Sequence, residues 1–486
     1  MTDAPQIDVA IRNGRLVTPS GTFTGSLGIS GERISHIGTD AAVPRATREI
    51  DADGAYVLPG LIEPHAHLGL SSTQGANDFE KWRRDFETET NGAIHGGVTT
   101  VLSHWTGKER YVDHLDTLIG WGEERSYIDF NVHPVIGIEE HLEQIPELVE
   151  RGVTSFKHYH HVYDDPRGRA LGIFPCDDQM LYRSFEAIAA AGAPALAMVH
   201  AEDGPIIKHL LAVEQASGRA DLEAWTRARP PLVENLRVRR VLDVAAHLGT
   251  PLYFVHVTTV EAVEMVAAAQ REGQAVAAET QTCFLTHTAE MEEEIGAWGK
   301  INPALKYERD QQALWAAIRD GIVTCLGDDH LDYDLSDKQP NGADRFNNVF
   351  GCNAGMPGGM EHLLPVLVTA GVRTGRISME DVVRVCATNT ARLMGLYPRK
   401  GVLAVGSDAD VVVVDPDRHK TVDDAFYHTR VRDWSLYWGW TLYGIPSTTL
   451  VRGTVVLEDG ETVGLPGHGR FVPGRAIDIQ AAETHS

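Results

Sequence analysis

The 486-residue chain has no stretch approaching the roughly 20 consecutive apolar residues that a bilayer-spanning helix requires. Its polar start, "MTDAPQIDVAIRNG", lacks a basic-then-apolar leader pattern, so no membrane partner is expected. Cysteine is scarce. Cys176, Cys283, Cys325, Cys352 and Cys386 show no CxxC spacing, which argues against a disulfide framework or a thiolate zinc site and points to a cytoplasmic protein. Positive charge is in deficit, with 43 Lys and Arg against 68 Asp and Glu. The formal charge of −25 argues against nucleic acid as a partner, because its phosphates are met by clustered basic side chains. No internal repeat or low-complexity linker divides the chain. Histidine, by contrast, is plentiful at 22 residues, and its placement carries most of the information.

The two ends share a texture. "IDVAIRNGRLVTPSGTFTGSLGISGERISHIG" consists of short alternating runs broken by Gly, Ser and Asn, the pattern of antiparallel strands and turns. The same pattern returns in "SDADVVVVDPD" and "TTLVRGTVVLEDGETVG". A small β-sandwich domain built from both termini is therefore expected, from residues 1–57 and 400–470, with 471–486 as an extended, partly disordered arm.

The middle alternates between strand and helix. Strand candidates are "GLIEPHAHL", "GVTTVLSHW", "FNVHPVIG", "GVTSFKHY", "ALAMVHAED", "LYFVHVTT", "QAVAAETQT" and "GIVTCLGDD". Short apolar runs without strict alternation suit parallel strands covered on both faces. Helical periodicity lies between them, for example from Asp178 to Gly192 and from Val233 to Gly249. Residues 58–399 thus read as a (β/α)8 TIM barrel with insertions, within the α/β class.

The odd polar residues of these strands fall at their ends. In "LPGLIEPHAHLGL", His65 and His67 lie two apart and so face one way at the close of the first strand. Lys157 ends the fourth strand, His200 the fifth, His256 the sixth and Asp329 the eighth. Barrel active sites lie at the C-terminal strand ends, so six ligand-type residues converge on one mouth. A lone histidine there is more often a hydrogen-bonded core residue. The set of six is hard to attribute to packing.

Chemistry accounts for the mixture. Neutral imidazoles and a carboxylate suit zinc, with manganese, iron or cobalt as alternatives. An ammonium has no lone pair and repels cations, so Lys157 fits only after reaction with CO2 to a carbamate, whose two oxygens can bridge two divalent ions. Such a pair acidifies a bridging water and polarises a carbonyl. Asp329 can then take the water's proton and deliver it to a leaving amine. The plain alternative for Lys157 is a buried salt bridge with Asp329.

The segments "PGLIEPHAHL", "GVTSFK", "VHAED", "VHVTT", "NPALKYERDQQALWAAIRDGIVTCLGDDH" and "ATNTARLMGLYPRKGVLAVGSDADVVVVDPD" closely resemble the amidohydrolase superfamily. Its hydantoinase, dihydropyrimidinase and allantoinase branch is the most similar. "GHGRFVPGR" is similar to the terminal segment of hydantoinases and dihydropyrimidinases, and the motifs cover nearly the whole chain in family order. The resemblance implies that His65, His67 and Asp329 bind a first metal and His200 and His256 a second, with N6-carboxylysine at Lys157 bridging. It implies hydrolysis of a cyclic amide, imide or ureide C–N bond by a metal-bridging hydroxide. Asp329, directly before His330, takes the catalytic role ahead of its neighbour Asp328. Asn302 and the strand end at Glu279 and Thr280 match substrate-lining positions. Homo-oligomers, tetramers or dimers, are also implied, and "FNNVFGCNAGMPGGMEHLLPVL" reads either as an interface loop and helix or as the last barrel helix.

Departures from the family bear on the substrate. Dihydroorotases carry an arginine where this chain has Gly69, which argues against that activity. The loop "GLSSTQGANDFEKW" is longer and more polar than the Pro-Phe loop of hydantoinases. Their oxyanion tyrosine corresponds to Val162, leaving Tyr159 and Tyr163 as the nearby candidates for substrate contact. His104, His158, His160 and His161 read equally as pocket residues and as solvated or packed histidines. Two further readings stand beside cyclic amide hydrolysis: a mononuclear deaminase-type site, which needs no lysine, and a noncatalytic dihydropyrimidinase-related scaffold.

Overall fold

The computed structural model describes residues 6–18, 21–70, 79–160, 163, 168–169, 172–174, 176–346 and 348–476. Eight parallel strands form in the expected places: Leu61–Ala66, Val98–Trp105, Asp129–Pro134, Ser155–Tyr159, Leu196–His200, Leu252–Phe254, Val276–Thr280 and Cys325–Leu326. The first three pair as one sheet and the other five as a second. Single parallel bridges, Val135 to Lys157 and Ala66 to His330, close the ring between them. Both seams therefore run beside ligand-type residues.

Helices return the chain between strands, and several start at a side-chain cap. The Asp177 side chain accepts from the Met180 amide at the start of Asp178–Ala191, and Thr259 caps Val260–Arg271 in the same way. The helix Pro231–Leu248 stops at Gly249, which takes the left-handed conformation (φ 69°) that glycine adopts without strain.

A nine-stranded sheet draws five strands from the N-terminal end and four from the C-terminal end. Its long strand Ile7–Thr18 pairs with Ala46–Asp51 through its first half and with Tyr56–Pro59 through its second, while its pairing with Gly21–Ser30 shifts register between Ile11 and Gly14. One strand thus serves both layers of the small β-sandwich. Tyr56–Pro59 in turn pairs with Val411–Val414, which joins the two chain ends. The crossing into the barrel comes at Gly60, whose amide donates to the Asp410 carbonyl at 2.9 Å. A Cβ there would stand 2.1 Å from the Thr99 hydroxyl oxygen, so the Pro-Gly step is required by close packing.

Of the expected arm 471–486, residues 471–476 are tied down. The Val472 amide donates to Phe130, that of Gly474 to Gly152 and that of Arg475 to Gly395, and residues 477–486 lie outside the described part. The helix Gly359–Val366 is buried along its whole length against the helix Phe79–His95, so within this chain it is core.

A buried ion network fastens the sandwich to the barrel. Lys400 Nζ lies 2.7 Å from Asp129, 2.5 Å from Asp410 and 3.3 Å from Asp408, while Arg452 pairs with Asp129. Lys400→Met would leave buried carboxylates facing one another. We expect a loss of about 3–5 kcal/mol of stability, read as a lower urea midpoint.

Candidate metal centre

The six expected ligands meet at the C-terminal mouth of the barrel. His67 Nε2 stands 2.8 Å and His65 Nε2 3.2 Å from Asp329 Oδ1. Across the site, His200 Nδ1 lies 2.9 Å from His256 Nε2. Donor atoms of His65, His256 and Asp329 all fall within 4.8 Å of one another, so the two groups share one centre. Two ligands bound at about 2.0–2.1 Å in a tetrahedral sphere stand roughly 3.3 Å apart, which the 3.2 Å between His65 and Asp329 matches and from which the other two spacings fall short. A cation between the His200 and His256 nitrogens would satisfy both lone pairs. Lys157 Nζ is fully buried and has no hydrogen-bond partner among the described residues. Burial lowers the Lys157 ammonium to about 8, against the attraction of Asp329 and Glu279, so its neutral nucleophilic form is accessible. The donor set fits a pair of divalent ions.

Strand parity explains which side chains arrive. Lys157 points into the barrel, so His158 points out, where its ring meets the Met198 carbonyl at 3.0 Å and the Ser184 hydroxyl at 2.7 Å. Glu279 likewise points in. It holds His65 Nδ1 at 2.7 Å, accepts from the Tyr253 hydroxyl at 2.5 Å and from the His256 amide at 3.1 Å. Thr280 therefore turns away, its hydroxyl donating to the Val257 carbonyl at 3.0 Å, and it does not line the cavity. The structure separates Asp328 from Asp329. Asp328 Oδ1 accepts from the Thr282 amide and hydroxyl, at 2.9 and 2.7 Å, whereas Asp329 turns to the histidines. His256 (φ 40°) and Asp329 (φ 51°) both adopt left-handed backbone that aims them at the centre.

Glutamates orient the rings from behind. Glu202 Oε2 meets His200 Nε2 at 2.8 Å and Arg229 at 2.6 Å. Burial alone would raise the Glu202 carboxyl, but Arg229 and His200 bring it down to about 2. Such partners fix which ring nitrogen faces a metal. Their signal in the sequence was Glu202 two residues after His200 and Glu279 at the seventh strand end.

The mouth opens into a cavity of ≈ 240 Å³, lined by Asn302, Tyr159 and Tyr163 as expected and by Trp225, Arg229 and Lys300, which sequence reasoning did not single out. Asn302 Nδ2 donates to the Tyr163 hydroxyl at 3.2 Å. His104 packs 4.5 Å from the His65 ring and 4.7 Å from that of His67, with Nε2 unpartnered among the described residues. His160 turns to Asp178 at 3.1 Å and away from the cavity. His161, Val162 and residues 71–78 of the first loop lie outside the described residues. At Gly69 (φ 75°) a Cβ would stand 2.2 Å from the Trp82 indole nitrogen, so an arginine cannot be placed there.

These features have close counterparts. Residues 56–456 match the amidohydrolase family. A D-hydantoinase of Ralstonia pickettii is 34% identical over 482 residues, covering 96% of this chain and 99% of the relative. An L-hydantoinase of Paenarthrobacter aurescens is 30% identical over 478 residues, 96% and 98% of the two chains. The solved structure of an L-hydantoinase (dihydropyrimidinase) from Arthrobacter aurescens has a TM-score of 0.87 at 31% identity, covering 96% of this chain and 100% of that one. Sandwich, barrel and mouth are matched together over almost the entire length, and the chain belongs to the amidohydrolase family.

Proposed function

We propose that the chain is a metal-dependent hydrolase that opens a C–N bond in a cyclic amide, imide or ureide of the hydantoin, dihydropyrimidine or allantoin kind. The observation that carries this reading is the buried Lys157 amine among imidazole and carboxylate donors at ligand spacing. His65, His67 and Asp329 would hold one ion, His200 and His256 the other, and Lys157, as N6-carboxylysine, both. Zinc suits these donors, as do manganese, iron or cobalt. A bound pair of divalent ions supplies an acidified water and a polarised substrate carbonyl.

The chain's own residues do the rest. Asp329 takes the proton of the attacking water and hands it to the departing ring nitrogen. Asn302, joined to Tyr163, offers its amide to the ring's polar edge, and Tyr159 and Tyr163, both beside His200, present hydroxyls to the oxygen on which charge develops. Glu279 and Glu202 keep His65 and His200 from rotating. Leu70, Ile173, Leu211 and Leu331 wall the cavity with apolar surface and limit water. D- and L-selective relatives are about equally similar to this chain, so the likeness supports the reaction rather than either stereochemistry. The reading extends to a cytoplasmic homo-oligomer, dimer or tetramer, in keeping with five buried, unpaired cysteines and the family resemblance.

Metal analysis of the purified chain is expected to give about two ions per protomer. About one would favour the deaminase-type alternative, and none, with no turnover, the noncatalytic scaffold. Metal-loaded protein should open a ring within a panel of hydantoins, dihydropyrimidines, allantoin, cyclic imides and lactams, detected as a gain of one water by mass. Failure across the panel would overturn the proposal.

A further inference from the structure

We propose that His104 is a further ligand of the ion held by His65, His67 and Asp329, which then faces three imidazoles and a carboxylate. The proposal rests on the two-ion reading above. His104 lies near the end of the second strand, Val98–Trp105, and is 2% exposed. Its Nδ1 stands 3.3 Å from the carbonyl of Ala66, the residue between His65 and His67. A carbonyl only accepts, so Nδ1 carries the hydrogen. Burial above all keeps the ring neutral, and a neutral imidazole has a single N–H. Nε2 is therefore a bare lone pair, and it meets no donor among the described residues. A buried acceptor left unmet is costly unless something binds it.

Neither substrate nor packing accounts for that lone pair. His104 does not line the cavity, so it lies beneath the substrate rather than against it. His133, on the neighbouring third strand with its ring 5.2 Å away, is a packed histidine by contrast. It bonds the Ser155 hydroxyl through Nδ1 and the Pro64 carbonyl at 3.1 Å through Nε2. His287 also carries an unmet ring nitrogen, but it belongs to no group at ligand spacing among the described residues. His104 does. Ligand atoms of His65, His67 and His104 fall within 4.8 Å of one another, the limit that His65, His256 and Asp329 also meet. A third imidazole adds a donor without adding charge. It also leaves the ion of His200 and His256 with fewer protein ligands, and so with the more open position for a substrate.

The first test is a crystal structure of the full zinc-loaded chain, in which an ion should stand about 2.0–2.1 Å from His104 Nε2. The second is a chelator titration that follows zinc release from the wild type and from His104→Phe. Phenylalanine keeps a planar ring against His65 and His67 but has no lone pair. Losing a partner outside the ligand set costs about 10–100-fold in metal affinity, so we expect one ion of His104→Phe to bind more than about 100-fold more weakly. Should His104→Phe fail to fold, the crystal structure decides alone. Both ions present with Nε2 more than about 3 Å from either would overturn this inference and leave the two-ion centre standing. A loss below about 100-fold in folded His104→Phe would do the same. Wild type that holds no ion after loading overturns both.

Discussion

Lys157→Ala is expected to lose both metal ions and to lower turnover by at least about 10⁴-fold, because in the proposed centre the lost group would be the ligand common to both ions. Without it, four neutral imidazoles and one carboxylate would have to offset two divalent charges inside a buried mouth, where uncompensated charge is expensive. Metal analysis and ring opening on the same preparation read the two losses together. A carbamate also makes a claim that a plain amine does not. On readdition of zinc, metal-free wild type should regain activity slowly in CO2-depleted buffer and faster with bicarbonate. Full activity of Lys157→Ala would remove the bridge from the mechanism.

Asp329→Asn should divide the same readouts differently. Asparagine keeps an oxygen where Asp329 meets His65 and His67, at 3.2 and 2.8 Å, yet cannot carry a proton between nucleophile and leaving nitrogen. We expect about two ions retained and turnover reduced about 10³-fold, within the range for removal of a general acid–base group. Loss of metal in step with activity would reduce Asp329 to a ligand.

The barrel and its ligand set were legible because both are written in local patterns. Each strand is an apolar run, and the six ligand-type residues stand where those runs end. Parity within a strand was equally written but harder to use. Fixing Lys157 and Glu279 as inward assigns His158 and Thr280 outward, as their bonds to Ser184 and Val257 show. The choice between Asp328 and Asp329 had one local signal, His330 directly after Asp329. Its physical cause is distant: Thr282, more than forty residues away, occupies Asp328. The cavity wall was least readable. Trp225 and Arg229, at the end of one helix, meet Lys300 only through the fold.

The left-handed backbone at His256 and Asp329 sets folding against chemistry at single residues. Such conformations cost about 1–3 kcal/mol each in a non-glycine residue, and glycine would relieve them while deleting the donor. A laboratory selection for heat resistance alone would be drawn to glycine at both codons and would extinguish activity on the way. Thermostability in this chain therefore has to be sought away from the mouth.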